Sequence, residues 1–277
     1  MKTALITGGN NGIGKATAIG LAKKGFEVII ACRNAEKGQK AVSEIKKMAN
    51  QEQVSLLICD LASLKSVEKC AIDFKSKYDK LDVLVNNAGL IVDDYKTTEE
   101  GFEYQFGVNH IGHFYLTKLL LPTILGSEAP RVVTVSSAIH YQGKFDFDTL
   151  RTAPEKYSGM DYYAQSKLAN ILFTKGLAKR YPKIITNALH PGVVGTGFGS
   201  GDVAWYFRGI WNLMKPFLMK PEKGAATSIY LASSDEVKVS GKYFDKQQER
   251  RSSKLSDDAE LAEQLWEYSE KAIAEYA

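Results

Sequence analysis

The chain has 277 residues, of which 44% are hydrophobic and 25% charged. These are ordinary proportions for a globular protein, and the length allows one large domain with a full core. The 36 basic and 32 acidic residues leave a net charge of +4, too slight an excess to argue for a nucleic acid partner.

Short apolar runs alternate with longer amphipathic stretches. The first run, 3–7 (TALIT), meets a cluster of glycines and a helix-like stretch near 12–24 that stops at Gly25. Strand 27–32 (EVIIAC) and helix 35–49 follow, then strand 54–59 (VSLLIC) and helix 63–78. Next come strand 82–86 (DVLVN), helix 98–126, strand 131–136 (RVVTVS) and helix 161–181, which stops before Pro182. The order closes with strand 184–189 (IITNAL), helix 222–233, strand 241–245 (GKYFD) and an amphipathic helix over 257–276. That last helix carries Leu261, Leu265, Tyr268 and Ile273 on one side. Most of the strands lack alternation, as strands buried on both faces should. The pattern predicts an α/β, Rossmann-type doubly wound fold. Its mainly parallel, seven-stranded sheet carries helices on both faces, in three layers. With no repeat, low-complexity segment or linker, 1–277 reads as a single domain.

The three cysteines, Cys32, Cys59 and Cys70, are odd in number and lack Cys-x-x-Cys spacing. Buried free thiols in a reducing, cytoplasmic setting are expected. The chain shows no signal peptide and no run of about 18 uncharged apolar residues, so no transmembrane segment is expected.

The turn Thr7-Gly8-Gly9-Asn10-Asn11-Gly12-Ile13-Gly14 joins the first strand to the first helix. Small residues there let the backbone approach a pyrophosphate, which sits on the helix N-terminus. The spacing is Gly-x-x-x-Gly-x-Gly, and a tight turn without a ligand is the alternative. The second strand ends Ala31-Cys32-Arg33-Asn34, with no acid to hold a ribose 2′-hydroxyl. An arginine there suits a 2′-phosphate, so Arg33 argues for NADP(H) over NAD(H), against a reading as a plain surface arginine. Lys15 either adds positive charge or is a solvated helix residue. Asp60-Leu61 ends the third strand, where it contacts an adenine edge or caps the next helix. Asn86-Asn87-Ala88-Gly89 ends the fourth, on the side where such sheets bind ligands, to hold ribose or to brace the sheet.

Tyr163 and Lys167 lie four residues apart in a helical run, on one face. A free phenol has a pKa of about 10 and gives up its proton poorly at neutral pH. A nearby ammonium favours the phenolate. A tuned acid/base beside a dinucleotide fits carbonyl reduction or its reverse.

In these residues the chain resembles the short-chain dehydrogenase/reductase family. The matching elements fall in family order. They are the glycine turn, Asn86-Asn87-Ala88-Gly89, Asn109, Ser136-Ser137, Tyr163-x-x-x-Lys167, and Pro191-Gly192 with Thr196. The resemblance is closest to the retinol dehydrogenase group and its protochlorophyllide reductase relatives. It is carried by Asn109-His110-Ile111-Gly112-His113-Phe114, Gln165-Ser166-Lys167-Leu168-Ala169-Asn170 and Leu189-His190-Pro191-Gly192-Val193-Val194. It implies that Tyr163 is the general acid or base, with Lys167 lowering its pKa and binding ribose hydroxyls. Ser137, rather than Ser136, would hydrogen-bond the substrate oxygen. Asn109 would hold a relay water, and Pro191, Gly192, Val193 and Thr196 would line the nicotinamide. It also implies a possible homodimer or homotetramer through helices 98–126 and 161–181.

Two features depart from that group. Many of its members carry an N-terminal membrane helix, whereas this chain begins at the first strand. Ser137 and Tyr163 are also widely separated, and the stretch from Tyr141 to Asp161 carries Phe145, Phe147 and Tyr157. That stretch either rims the substrate pocket or is a surface loop.

The aromatic segment 203–219 follows a glycine-rich hinge, and the resemblance makes it part of a substrate lid around 195–221. An apolar lid predicts a small apolar carbonyl or alcohol substrate. Peripheral membrane contact and ordinary core or dimer contact are the alternatives. His110 and His113 have metal-like spacing but no acidic or thiol partner, so structural roles and no metal are expected. His190 touches cofactor or substrate, or packs in the core. The basic segment from Lys246 to Lys254 reads as a solvated loop.

Overall fold

The computed structural model describes residues 1–192 and 219–276. Strands β1 (Thr3–Thr7), β2 (Glu27–Cys32), β3 (Val54–Ile58) and β4 (Val83–Asn86) alternate with helices α1 (Gly12–Lys23), α2 (Ala35–Ala49) and α3 (Leu64–Lys75). A helical turn, α4 (Tyr104–Phe106), runs through a π-helical stretch, Gly107–Ile111, into α5 (Gly112–Leu125). Then come β5 (Arg131–Val135), a 3₁₀ turn at Ala138–Gln142, α6 (Gly159–Arg180) and β6 (Ile185–His190). The described chain finishes with α7 (Pro221–Ser233), β7 (Lys242–Asp245), β8 (Gln248–Arg250) and α8 (Ala259–Ile273).

The strands form one sheet in the order β3-β2-β1-β4-β5-β6-β7-β8. All neighbours are parallel except β7 and β8. Successive side chains of a strand point to opposite faces. Leu5 and Ile29 therefore enter one core, while Ala4, Ile6, Val28 and Ile30 enter the other. The first core is closed by residues of α3, α5, α6 and α8, and the second by residues of α1, α2 and α7. This is the expected three-layer doubly wound fold.

Two boundaries differ from expectation. Among the described residues the sheet has eight strands rather than seven. The segment from Lys246, read as a loop, turns back through positive φ at Lys246 (50°) and Gln247 (63°) and pairs as β8. Its three exposed polar residues carry no apolar signal, and backbone pairing alone makes the strand. The helix expected from 98 begins at Tyr104, because Thr97 and Glu103 form an isolated β-bridge ahead of it.

Candidate active site

The carboxyl ends of β1, β2 and β4 surround the glycine turn. Gly8 adopts φ +65° and its N–H donates to Ala31 O (2.7 Å). A Cβ on Gly14 would sit 2.3 Å from Gly8 O and 2.5 Å from Asn87 Nδ2, so only glycine fits. Asn11 precedes α1 without capping it through its side chain. An N-terminus left uncapped by side chains beside a close-packed glycine turn is a cradle for an anion. Asn10, Asn11, Gly12 and Ile13 keep part of their surface there.

Thr7 ties this cradle to its neighbours. Its Oγ accepts from Asn87 N (2.9 Å) and Ala88 N (3.0 Å), and it contacts His113 Nε2 at 2.8 Å. His113 Nδ1 faces Asn109 O at 3.0 Å, so Nδ1 donates there and Nε2 accepts the Thr7 proton. Asn87 Nδ2 donates to Thr7 O (2.7 Å), and Asn86 Nδ2 to Thr117 Oγ (3.1 Å). Both asparagine side chains brace the sheet.

The adenine side is mixed. Arg33 is exposed and makes no ion pair or side-chain hydrogen bond with the described residues. Asn34 spends its side chain capping α2, accepting from Lys37 N at 2.8 Å. Lys15 pairs with Glu44 at 2.6 Å. Asp60 Oδ1 accepts from Ala62 N (3.0 Å), and Leu61 is buried in the core. Asp60 does not cap α3. Glu100 serves its first turn instead, accepting from Leu64 N at 2.6 Å.

α6 brings the other candidates to the end of β5. Tyr163 is part-buried and shares a hydrogen bond with the Ser137 hydroxyl. Lys167 Nζ lies 5.6 Å from the centre of the Tyr163 ring and donates to Val135 O at 3.2 Å. Burial pushes the Lys167 ammonium down to about 8. It also pushes the Tyr163 phenol above its ordinary value, an effect that the Ser137 hydrogen bond only partly offsets. The acidifying pull expected of Lys167 is not seen: desolvation raises the phenol and Ser137 alone opposes it. Ser136 is turned away, its hydroxyl donating to Lys167 O at 2.7 Å, which leaves Ser137 as the serine at the site. Asn109 grips the loop after β4. Its Oδ1 accepts from Leu90 N (2.9 Å) and its Nδ2 donates to Leu90 O (3.0 Å) and Ser166 Oγ (2.9 Å). Ala88 and Gly89 lie between the two halves of the site. A Cβ on Gly89 would come within 3.0 Å of Lys167 Nζ.

Pro191 and Gly192 follow β6, while Val193, Thr196 and nearly all of the lid lie outside the described residues. The 141–161 stretch is anchored rather than loose. Phe145 and Phe147 contact Phe106 and Tyr268, and Tyr157 donates to Glu103 Oε1 at 2.7 Å. Sequence reasoning missed Glu103, Gln105 and Asn170, because a buried polar residue reads like an exposed one. His110 is buried beside Ser269, and His113 is buried between Thr7 and Asn109; no metal-ligand cluster occurs among the described residues. The cysteines are free and buried.

The sequence pattern of the short chain dehydrogenase family matches residues 2–206. Human retinol dehydrogenase 13 is 41% identical over 286 residues, covering 98% of this chain and 84% of that one. An uncharacterized protein from Mycobacterium paratuberculosis shares the fold with a TM-score of 0.80 at 33% identity, covering 99% and 94% of the two chains. A short chain dehydrogenase structure from Escherichia coli CFT073, complexed with NADPH, has a TM-score of 0.71 at 26% identity and covers 89% and 97%. The chain belongs to the short-chain dehydrogenase family, within its retinol dehydrogenase group. It is an oxidoreductase acting on CH–OH and C=O groups.

Proposed function

We propose that the protein is an NADP(H)-dependent oxidoreductase that interconverts an apolar aldehyde or ketone and its alcohol. The observation that carries this reading is the Ser137–Tyr163 hydrogen-bonded pair over the buried Lys167. A reduced nicotinamide, when bound, supplies the hydride. Gly8, Asn10, Asn11, Gly12, Ile13 and Gly14 would hold its pyrophosphate, and Ala88, Gly89, Pro191 and Gly192 would border its ribose and ring. In reduction Tyr163 gives its proton to the substrate oxygen, and in oxidation it takes one. The Ser137 hydroxyl donates to the same oxygen and stabilises the charge that develops there. Lys167 lies beside the phenol and would reach ribose hydroxyls, and Asn109 holds the loop wall opposite. Arg33, exposed, would hold a 2′-phosphate; the NADPH in the Escherichia coli structure supports this reading. The name of the human relative, with the aromatic 203–219 segment, supports an apolar polyene or alkyl substrate.

Fluorescence titration with NADPH and NADH, followed by a carbonyl screen that includes retinal and decanal, tests the reading. NADPH is expected to bind at least about tenfold more tightly, and Arg33→Ala to erase that preference. Equal binding would remove Arg33 from the site. Tyr163→Phe should lower turnover at least about a thousandfold while sparing NADPH binding. A fully active Tyr163→Phe would end the mechanism. Cofactor binding without turnover on any carbonyl would favour a non-catalytic nucleotide-binding protein.

A further inference from the structure

We propose that His140 and His190 are positioning residues that clamp the turn carrying Ser137 from both sides and hold its hydroxyl against Tyr163. The proposal rests on the reading of Ser137 as the hydrogen-bond donor to the substrate oxygen. Ser137 sits where β5 gives way to the 3₁₀ turn, and besides the bond it shares with Tyr163 its Oγ accepts a long one from Ile139 N (3.4 Å). Such a turn has little to fix its orientation. The two histidines supply what the turn lacks.

His140 acts on the carbonyl side of Ser137. Its Nδ1 lies 2.7 Å from Ser137 O, and its backbone N–H donates to the same oxygen at 3.1 Å. Ser253 N donates to His140 Nε2 at 3.2 Å. A ring that receives a proton at Nε2 must carry its own at Nδ1, so one tautomer is dictated. The ring is fully buried, with centroids of Tyr141 at 4.1 Å and Tyr243 at 4.8 Å. His190 acts on the other edge of the same peptide, where Ala138 N donates to its Nδ1 at 3.2 Å. That bond needs a bare Nδ1 and places the proton on Nε2, the opposite tautomer. The peptide group that follows Ser137 is thereby pinned at both edges, its C=O by a donor and its N–H by an acceptor.

The His190 clamp and the anchoring of His140 by Ser253 both require neutral rings, since an imidazolium has no acceptor. Burial lowers the pKa of each. His140 faces His190 and Lys175, which oppose its protonation. His190 faces Asp245, which favours it, and Lys246, which opposes it. His190 also borders a cavity of about 350 Å³ with Tyr141, Tyr243, Arg250 and Arg251, which gives protons a path to it.

The first test is ¹⁵N imidazole NMR on the whole protein near pH 7.5, with assignments from single histidine variants. His140 is expected as the Nδ1–H tautomer and His190 as the Nε2–H tautomer. The reverse tautomer, or free averaging, at either ring overturns the clamp, and this readout needs no turnover. The second test is a double-mutant cycle with NADPH and decanal. His190→Ala should lower kcat about tenfold with the KM for NADPH unchanged, and His190→Asn, which keeps an acceptor near Nδ1, should recover most of the loss. In a Ser137→Ala background His190→Ala should cost nothing further. An equal loss in both backgrounds, or a wild-type kcat in His190→Ala, would overturn the proposal. A Ser137→Ala enzyme with full kcat would instead sink the role given to Ser137, whatever the tautomers show.

Discussion

The Tyr163 phenol and the Lys167 ammonium respond to burial in opposite ways. Burial disfavours whichever form is charged, so the phenol holds its proton longer and the ammonium loses its proton sooner. The raised phenol is protonated throughout the neutral range, which is the form reduction needs. Oxidation needs the phenolate, whose fraction grows with pH. Turnover in the reductive direction should therefore stay level from about pH 5 to about pH 7, below the range in which Lys167 loses its proton, while oxidation climbs over the same range. Steady-state kcat profiles in both directions check this. A reductive profile that fell within that window would place the phenol far lower than its burial allows. The cofactor cradle makes a separate prediction. Gly14→Ala drives a methyl into Gly8 O and the Asn87 amide, and their residues are tied down, Gly8 through its N–H to Ala31 O and Asn87 through Nδ2 to Thr7 O. NADPH affinity should fall at least about tenfold, as read by fluorescence titration. Unchanged affinity would mean that α1 can shift freely, against the contacts around Thr7.

At the scale of elements, the stretch between Ser137 and Tyr163 is held by one buried carboxylate. Glu103 accepts from Gln105 N (3.0 Å), Phe106 N (2.7 Å) and Tyr157 OH (2.7 Å). Gln105 Nε2 reaches Tyr157 OH and Gly159 O, both at 2.8 Å. These bonds tie the start of α6 to the π-helical stretch that carries Asn109. Burial pushes the Glu103 carboxyl up, so its neighbours matter more than on a surface. Tyr157→Phe leaves that carboxylate one donor short and should destabilise the fold by about 1–3 kcal/mol in urea unfolding. A neutral effect would mean that Tyr157 is only a rim residue. Nothing in the sequence marks Glu103 or Tyr157 as partners, because their pairing is made by tertiary structure across more than fifty positions. Elements built from local signals were legible. EVIIAC has the bounds expected of β2, and α2 runs over 35–49 as expected. The glycine turn was legible from its place between strand and helix, and the shared face of Tyr163 and Lys167 from their spacing, whereas Ser137 was implied only by the family resemblance. β8 was not, since its residues, Gln248, Glu249 and Arg250, bury nothing.

At the scale of the molecule, α8 decides how copies of the chain can meet. The resemblance expects subunit contact through the helices over 98–126 and 161–181, and α8 lies across both. Trp266 stacks on Phe173 (6.0 Å, 8°) and meets Phe114 edge-on at 5.0 Å. Lys118 of α5 pairs with Glu270 at 2.6 Å, and Lys179 of α6 with Glu263 at 3.1 Å. His110 Nε2 lies 3.0 Å from Ser269 Oγ, which itself donates to Leu265 O at 2.7 Å. For α5 and α6 to face a second copy, α8 would have to leave, exposing a tryptophan that is 2% accessible. Removing a buried aromatic of that size costs about 3–5 kcal/mol, more than charged pairs on a helix surface return. Among the described residues the exposed large apolar side chains are scattered, from Met48 on α2 to Ile72 on α3 and Val239 before β7, and offer no patch to offset it. The protein should therefore sediment at its monomer mass of 30.6 kDa wherever α5 and α6 are the only contact available. Trp266→Ala should weaken the docking of α8 and raise hydrogen exchange along α5 and α6 together. A wild-type dimer in which the amides of these two helices gain protection on association would overturn the argument, since that protection requires α8 to have moved aside.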